Sequence, residues 1–265
     1  MEPPRLTLAL DLARRAGALI LDGLGRSRDI RHKGAIDLVT EYDLRSERLV
    51  VDAIRHAFPS DSILSEEAGA SGEAGIRWVI DPLDGTTNFA HGLPHFSVSI
   101  ACWEQDKPAF GVVFDPTRSE LFHAVRGQGA WLNAQPLHVS TESRLEESFL
   151  ATGFPYDIRS NSEDNLDHFA SMSRRAFAIR RFGSAALDLA YVAAGRYDAY
   201  WELSVYPWDW AAGILLVREA GGRVTALDGR DTFPLGIASF LASNGLVHDQ
   251  TLRALADTSD KAPGA

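Results

Sequence analysis

At 265 residues the chain has room for one domain or two, and 45% hydrophobic with 23% charged residues is the make-up of an ordinary globular protein. A formal net charge of −10 argues against the basic stripe that a nucleic-acid surface needs, and a single cysteine, Cys102, rules out an internal disulfide and favours a reducing compartment. The start carries no cationic leader and residues 6–24 are interrupted by Asp11, Arg14, Arg15 and Asp22, so neither a signal peptide nor a membrane span is expected and a cytoplasmic protein is.

In chain order, Leu8, Leu12, Ala16, Leu19, Ile20 and Leu24 have helical spacing, and the glycines after them open a loop that holds Arg26, Arg28, Arg31, His32 and Lys33. A short apolar piece, 38–40, leads into a helix that Asp43 opens or enters and that runs to about Phe58. Residues 63–65 read as a strand with Glu66 and Glu67 at its end, and 76–80 as a buried strand. The runs 96–103, 109–114, 121–125 and 130–132, parted by turn signals, predict an antiparallel meander. Beyond it come a strand at 148–153, a helix at 164–175, and a small-residue helix at 184–194 capped by Ser184. A short strand at 200–202, a helix at 208–220, strands at 224–226 and 240–242 and a last helix at 247–255 follow, with a disordered tail at 257–265. No linker divides the chain, so one domain is expected, with an N-terminal half to about 140, a C-terminal half 141–256 and an α+β arrangement.

The densest chemistry lies in Asp81-Pro82-Leu83-Asp84-Gly85-Thr86-Thr87-Asn88-Phe89, where the strand at 76–80 ends. Pro82 stiffens the turn, Gly85 allows close backbone approach, and 86–88 offer hydroxyls and cap groups. Alone, the pattern also suits a strand, an Asp-Gly turn and a capped helix. Backbone N–H groups at such a turn can hold a phosphate while Asp81 and Asp84 hold a hard cation. Carboxylates at element ends without a His/Cys cluster favour Mg2+ over zinc.

The stretch 78–89 closely resembles the signature of the inositol monophosphatase family of magnesium-dependent, lithium-sensitive phosphatases. Asp37 to Asp43 and Ser65-Glu66-Glu67 upstream, with Gly183 to Ala190 and Tyr206 to Gly213 downstream, match that family in order and spacing. The resemblance implies a layered αβαβα sandwich of the inositol monophosphatase/fructose-1,6-bisphosphatase type, commonly dimeric. It implies two or three Mg2+ ions, the first on Glu66, Asp81 and the Leu83 carbonyl and the second on Asp81, Asp84 and Asp209. It places Gly85 and Thr86 amides on the phosphate, and Thr86, hydrogen-bonded to Asp43, with Glu66 on the nucleophilic water. Glu202 and Asp209 face the hydroxyls of the leaving group, Gly183, Ser184 and Ala185 form the opposite wall, and Lys33 neighbours the site.

The implied reaction is hydrolysis of myo-inositol 1-phosphate or a related polyol monophosphate by direct attack of water. Both Pro82 and Leu83 separate Asp81 from Asp84, so the two-aspartate motif of covalent haloacid-dehalogenase phosphatases is absent. Relatives of the same fold act on fructose 1,6-bisphosphate, NADP, adenosine 3′,5′-bisphosphate or histidinol phosphate, and a regulatory binding protein that kept the fold is the other class. The 183–202 stretch favours inositol.

Overall fold

A computed structural model describes residues 4–26, 30–32, 38–72, 75–231 and 234–257. Helix α1 (Pro4–Gly23) buries Leu6, Ala9, Leu12, Ala13, Ala16 and Ile20; of the stripe expected from spacing, Leu12, Ala16 and Ile20 are buried, while Leu8, Leu19 and Leu24 pack half-buried against the same core. Two short antiparallel strands, β1 (Ile30–His32) and β2 (Leu38–Thr40), follow; Arg31 lies in a strand rather than in the expected loop, while Lys33 and Asp37 lie outside the described residues. Helix α2 (Glu41–Ala57) starts at a capping box, in which the Thr40 hydroxyl accepts the Tyr42 N–H at 3.2 Å and Asp43 accepts the Thr40 N–H at 2.8 Å.

Next come β3 (Ser62–Ser65), β4 (Gly69–Ser71), β5 (Ile76–Asp84), the single-turn helix α3 (Thr86–Ala90), β6 (Ser97–Glu104), β7 (Lys107–Asp115), β8 (Glu120–Val125), β9 (Gly129–Leu132) and β10 (Gln135–Pro136). They form an eight-stranded sheet in the order β10-β9-β8-β7-β6-β5-β3-β4. Strands β6 to β9 are the expected antiparallel meander. Strands β3 and β5 pair in parallel with Ser65 opposite Ile80, and this register brings Glu66 and Asp81, the residues that follow, to one end of the sheet.

The remaining elements are β11 (Phe149–Thr152), α4 (Leu166–Ser173), β12 (Ala178–Arg180), α5 (Ala185–Ala193), β13 (Ala199–Val205), α6 (Pro207–Trp210), α7 (Gly213–Glu219), β14 (Arg223–Ala226), β15 (Ala238–Ser243) and α8 (His248–Ala256). Their five strands order as β12-β11-β13-β15-β14.

Period-two burial explains the layering. On β5, Trp78 and Ile80 pack into one core with α1 and α2, whereas Val79 packs into another with α5 and α7. On β13 and β15, Tyr200, Phe240 and Ala242 join that middle core, while Trp201 and Leu241 face a third with Met172 of α4 and Leu255 of α8. Helix pair, sheet, helices, sheet and helix pair stack in turn, the αβαβα order.

Three expectations are corrected. The helix expected over 208–220 is two pieces, α6 and α7, parted at Ala211 and Ala212, where Gly213 is a weak helix former. The helix expected to start at Asp164 starts at Leu166, because Asn165 adopts φ 69 and spends its amide on Thr152 and Gly153. Asp257, expected in the disordered tail, accepts a hydrogen bond from Arg175 at 3.0 Å; residues 258–265 lie outside the described ones.

Candidate active site

Strand β5 ends irregularly. Asp81 pairs with Ser99 and Asp84 with Ser97, and the register shifts between them at Pro82, which has no N–H for the ladder. The Pro82 carbonyl accepts the Ser46 hydroxyl at 2.8 Å, so α2 fixes the kink. Gly85 then turns the chain at φ 94, in a crowded spot where a Cβ would lie 3.1 Å from the His95 carbonyl and 3.3 Å from that of Gly183. No side chain caps α3, contrary to the capping expected of Thr86, Thr87 or Asn88. Asn88 instead donates to the carbonyls of His95 at 2.8 Å and Phe182 at 2.7 Å, which ties this turn to the C-terminal half.

Carboxylate oxygens of Asp81, Asp84 and Asp209 all lie within 4.8 Å of one another. Asp81 and Asp84 are buried and Asp209 is half-buried. Each is held: Asp81 accepts the Leu83 N–H at 2.9 Å, Asp84 accepts the Ala186 N–H at 3.0 Å and the Ser97 and Ser184 hydroxyls, and Asp209 accepts the Tyr206 N–H at 3.2 Å. Burial first, then neighbouring carboxylates, raises Asp81 and Asp209 well above the ordinary range. Burial also lifts Asp84 to about 6, against the lowering effect of Ser184, Ala186 and Ser97.

A cavity of about 190 Å³ opens over the cluster and adds Glu66, Leu83 and the Gly85-Thr86 turn to its walls. Hard oxygen donors crowded at like charge, with no imidazole or thiol among them, fit Mg2+, and a divalent cation there would allow these carboxylates to be ionised together. Glu66 lines the cavity but stands outside the tight group of three.

Two buried carboxylates of α2 support the site. Asp43 accepts the Thr86 hydroxyl at 2.6 Å and the Thr40 hydroxyl at 2.5 Å; burial raises it, and the Thr40 and Thr86 hydrogen bonds lower it. Glu47 receives the Glu67 N–H at 3.0 Å, the Ala68 N–H at 2.9 Å and the Ser65 hydroxyl, and so fixes the turn that carries Glu66. Glu67 thereby serves through its backbone. The sequence reading missed Glu47 and Ser97 because their partners are remote: 18 to 21 residues separate Glu47 from its donors, and 13 separate Ser97 from Asp84.

On the leaving-group side, the structure reassigns Ser184. It stands at the start of α5, as expected, yet its hydroxyl caps nothing and donates to Asp84. Ala185 follows it at the first helical position, and Gly183 adopts φ 78 beside Gly85. Glu202 accepts the Tyr200 hydroxyl, and its carboxylate occupies the place where a Cβ on residue 153 would stand, so Gly153 makes room for it. Burial raises Glu202 to about 7, with the Tyr200 hydrogen bond opposing. Glu202 is not in the walls of the acidic cavity, although Asp84 raises its proton affinity through space. Trp201 and Trp210 are core, and Trp208 reaches the cavity.

Fold and site together define a layered α+β protein with an acidic cavity at the end of its larger sheet, where three carboxylates are placed to hold a cation. The model of the inositol monophosphatase family matches residues 2–261, and the chain belongs to that family. It is 50% identical over 240 residues to the Nus factor SuhB of Pseudomonas aeruginosa, covering 87% of this chain and 88% of that one. To the inositol-1-monophosphatase of Synechocystis it is 45% identical over 256 residues, 96% of this chain and 89% of the other. The solved structure of the Thermotoga maritima IMPase superposes with a TM-score of 0.89 at 38% identity, over 98% of this chain and 99% of that one. No helix among the described residues is long and apolar enough to cross a membrane.

Proposed function

We propose that the chain is a Mg2+-dependent phosphomonoesterase that hydrolyses myo-inositol 1-phosphate and related polyol monophosphates to alcohol and phosphate. The observation that carries this reading is the three-carboxylate cluster set against the Gly85-Thr86 turn and the Thr86–Asp43 hydrogen bond. Glu66, Asp81, the Leu83 carbonyl, Asp84 and Asp209 would hold two or three Mg2+ ions. Bound there, the ions would supply charge neutralisation for the phosphoryl group and acidify water.

The chain's own groups do the rest. Thr86 has its one hydroxyl proton committed to Asp43 and to the Leu83 carbonyl at 2.9 Å, so its lone pairs remain to accept a hydrogen bond from the attacking water. That orients the water oxygen towards phosphorus, and Glu66 takes one water proton, which then passes to the departing oxygen. Gly85 and Thr86 N–H groups hold phosphate oxygens. The bond to the ester oxygen breaks, and the alcohol leaves with a proton. Glu202, with Gly183 and Ala185 opposite, meets the ring hydroxyls.

Names of relatives favour a second reading, a regulatory factor on this fold in a reducing cytoplasm, because SuhB of P. aeruginosa is called a Nus factor. Phosphate release from myo-inositol 1-phosphate, glycerol 2-phosphate and the other family esters, with and without Mg2+, decides between them. Mg2+-dependent turnover is expected, with inositol phosphate preferred, inhibition by Li+ and a homodimer on sizing. Loss of the Mg2+-induced rise in Tm on Asp209→Asn checks the metal assignment separately. No release from any ester would sink the enzymatic reading.

A further inference from the structure

A second cavity, of about 230 Å³, has the opposite charge. Arg45 and Arg48 line it from α2 and Arg31 from β1, and Glu41 is the one carboxylate among the described residues of its walls. Three guanidinium groups against one carboxylate leave a local charge of +2 in a chain whose formal net charge is −10. Helical spacing explains the convergence: positions 41, 45 and 48 share one face of α2. Arg31 joins them because it pairs with Val39, next to the Thr40 that caps α2.

Two of these arginines are available to a ligand. Among the described residues, neither Arg45 nor Arg48 has an ion pair or a side-chain hydrogen bond. The Arg45 guanidinium lies over the Tyr42 ring, 4.9 Å from its centroid, which fixes its plane and leaves its N–H edge to donate. A cavity smaller than the roughly 300–1,000 Å³ of drug-sized sites limits the occupant to a small molecule. A phosphate group, at about −1.5 to −2 near pH 7, matches the local charge, whereas one carboxylate would leave half of it uncompensated.

The two cavities meet at one buried group. Thr40 lines the arginine cavity and Thr86 the acidic one, and each donates its hydroxyl to a different oxygen of Asp43, at 2.5 and 2.6 Å. From this arrangement we infer an effector site: the arginine cavity binds the phosphate group of a small phosphorylated molecule or free phosphate, and its occupation favours cation binding in the acidic cavity. The bound anion attracts a cation across Asp43. It also clamps β1 to the first turns of α2, which steadies the Thr40–Asp43–Thr86 chain. Such coupling is reciprocal, so the cation tightens the anion in turn. Anion binding is independent of the phosphatase reading; the coupling rests on the Mg2+ assignment within it.

The test is calorimetric titration of wild type, the double variant Arg45→Gln/Arg48→Gln, and Glu41→Gln. In EDTA, inorganic phosphate and glycerol 2-phosphate are each titrated into the metal-free protein. Wild type binds, the double variant loses about tenfold or more in affinity, the order of one charge-assisted hydrogen bond, and Glu41→Gln gains. Tighter binding of the glycerol ester makes an ester the effector, and equal binding makes it phosphate itself. Mg2+ is then titrated with and without saturating phosphate. Phosphate that meets Mg2+ directly does so in every variant. The coupling is therefore the part of the enhancement that the double variant loses, about fivefold in Mg2+ affinity. If the double variant does not fold, the gain in Glu41→Gln carries the test.

No binding in EDTA, binding unchanged in the folded double variant, or no gain in Glu41→Gln overturns the anion site and leaves the phosphatase reading standing. A phosphate effect on Mg2+ that is equal in wild type and the double variant overturns the effector role. Absence of Mg2+ binding by wild type overturns the metal assignment, and the coupling with it.

Discussion

Thr86 donates its hydroxyl to Asp43 at 2.6 Å across 43 positions of sequence, and so the turn after β5 is locked to the first turn of α2. The same Asp43 closes the capping box with Thr40, which makes one buried carboxylate both a helix-start device and a rigid mount for the hydroxyl proposed to orient the water.

Thr86→Ala is expected to lower kcat about 10²–10⁴-fold, the usual worth of an orienting or proton-accepting group. Removing the hydroxyl also strips a donor from buried Asp43, at about 1–3 kcal/mol of stability. Lower stability alone therefore does not discriminate, and Thr86→Ser does. Ser restores both the hydrogen bond and most of the turnover if the hydroxyl is what matters. Tm and kcat measured on the same preparation check this, and a Ser variant as slow as Ala at wild-type Tm would remove the water-orienting role.

Glu47→Ala should cost about 3 kcal/mol and reduce activity, although Glu47 touches no substrate in this reading. Its carboxylate gathers the Ser65 hydroxyl and two N–H groups of the Glu66 turn, and hydrogen bonds to a charged acceptor are the stronger kind. All three donors fall on one oxygen, so Glu47→Gln, which keeps a carbonyl oxygen, is expected to retain most of both. Urea denaturation together with the Mg2+ concentration for half-maximal activity reads the two effects. A fully active Glu47→Ala protein would show that Glu66 needs no such support.

Glu202→Gln should weaken use of inositol phosphate about ten- to hundredfold relative to glycerol 2-phosphate, the range for losing a charge-assisted hydrogen bond. Gly153→Ala tests the same group from behind, because the new methyl would take the space of the Glu202 carboxylate. Both variants should shift preference in the same direction. Equal losses on both esters would take Glu202 out of the recognition of the alcohol.

The sequence showed most of the elements through helical spacing and apolar runs, as at the buried strand 76–80, while the order of the layers came from the family resemblance. The acidic residues of the cavity were legible for a different reason: Asp81 and Asp84 sit in one motif, and the resemblance supplied Glu66 and Asp209. What stayed hidden depends on contacts between segments. Ser184 reads as an ordinary N-cap until α5 meets Asp84, 100 residues away. Helices α6 and α7 read as one because Ala211 and Ala212 keep helical φ and ψ, so only the hydrogen-bond ladder lapses.

Away from the site, His248 makes acid stability testable. Its ring is buried at the start of α8, 2.9 Å from the Thr225 hydroxyl and 2.8 Å from that of Ser243. Each hydroxyl can donate or accept, so a neutral ring, with one nitrogen donating and the other accepting, satisfies both contacts. Burial lowers His248 from 6.5 to about 4, with Arg223 adding to the effect. The folded pKa lies below the unfolded one, so the unfolded chain binds the proton first. The neutral histidine's contribution is therefore complete above pH 6.5 and drains away as pH falls towards about 4. His248→Asn keeps a polar side chain that does not titrate there. At pH 7.5 it should be less stable than wild type, having lost fitted hydrogen bonds, and the gap should narrow steadily from pH 6.5 down to 4.5. Urea midpoints of both proteins across that range provide the check. A gap that stays constant would mean that His248 titrates alike in the folded and unfolded chain.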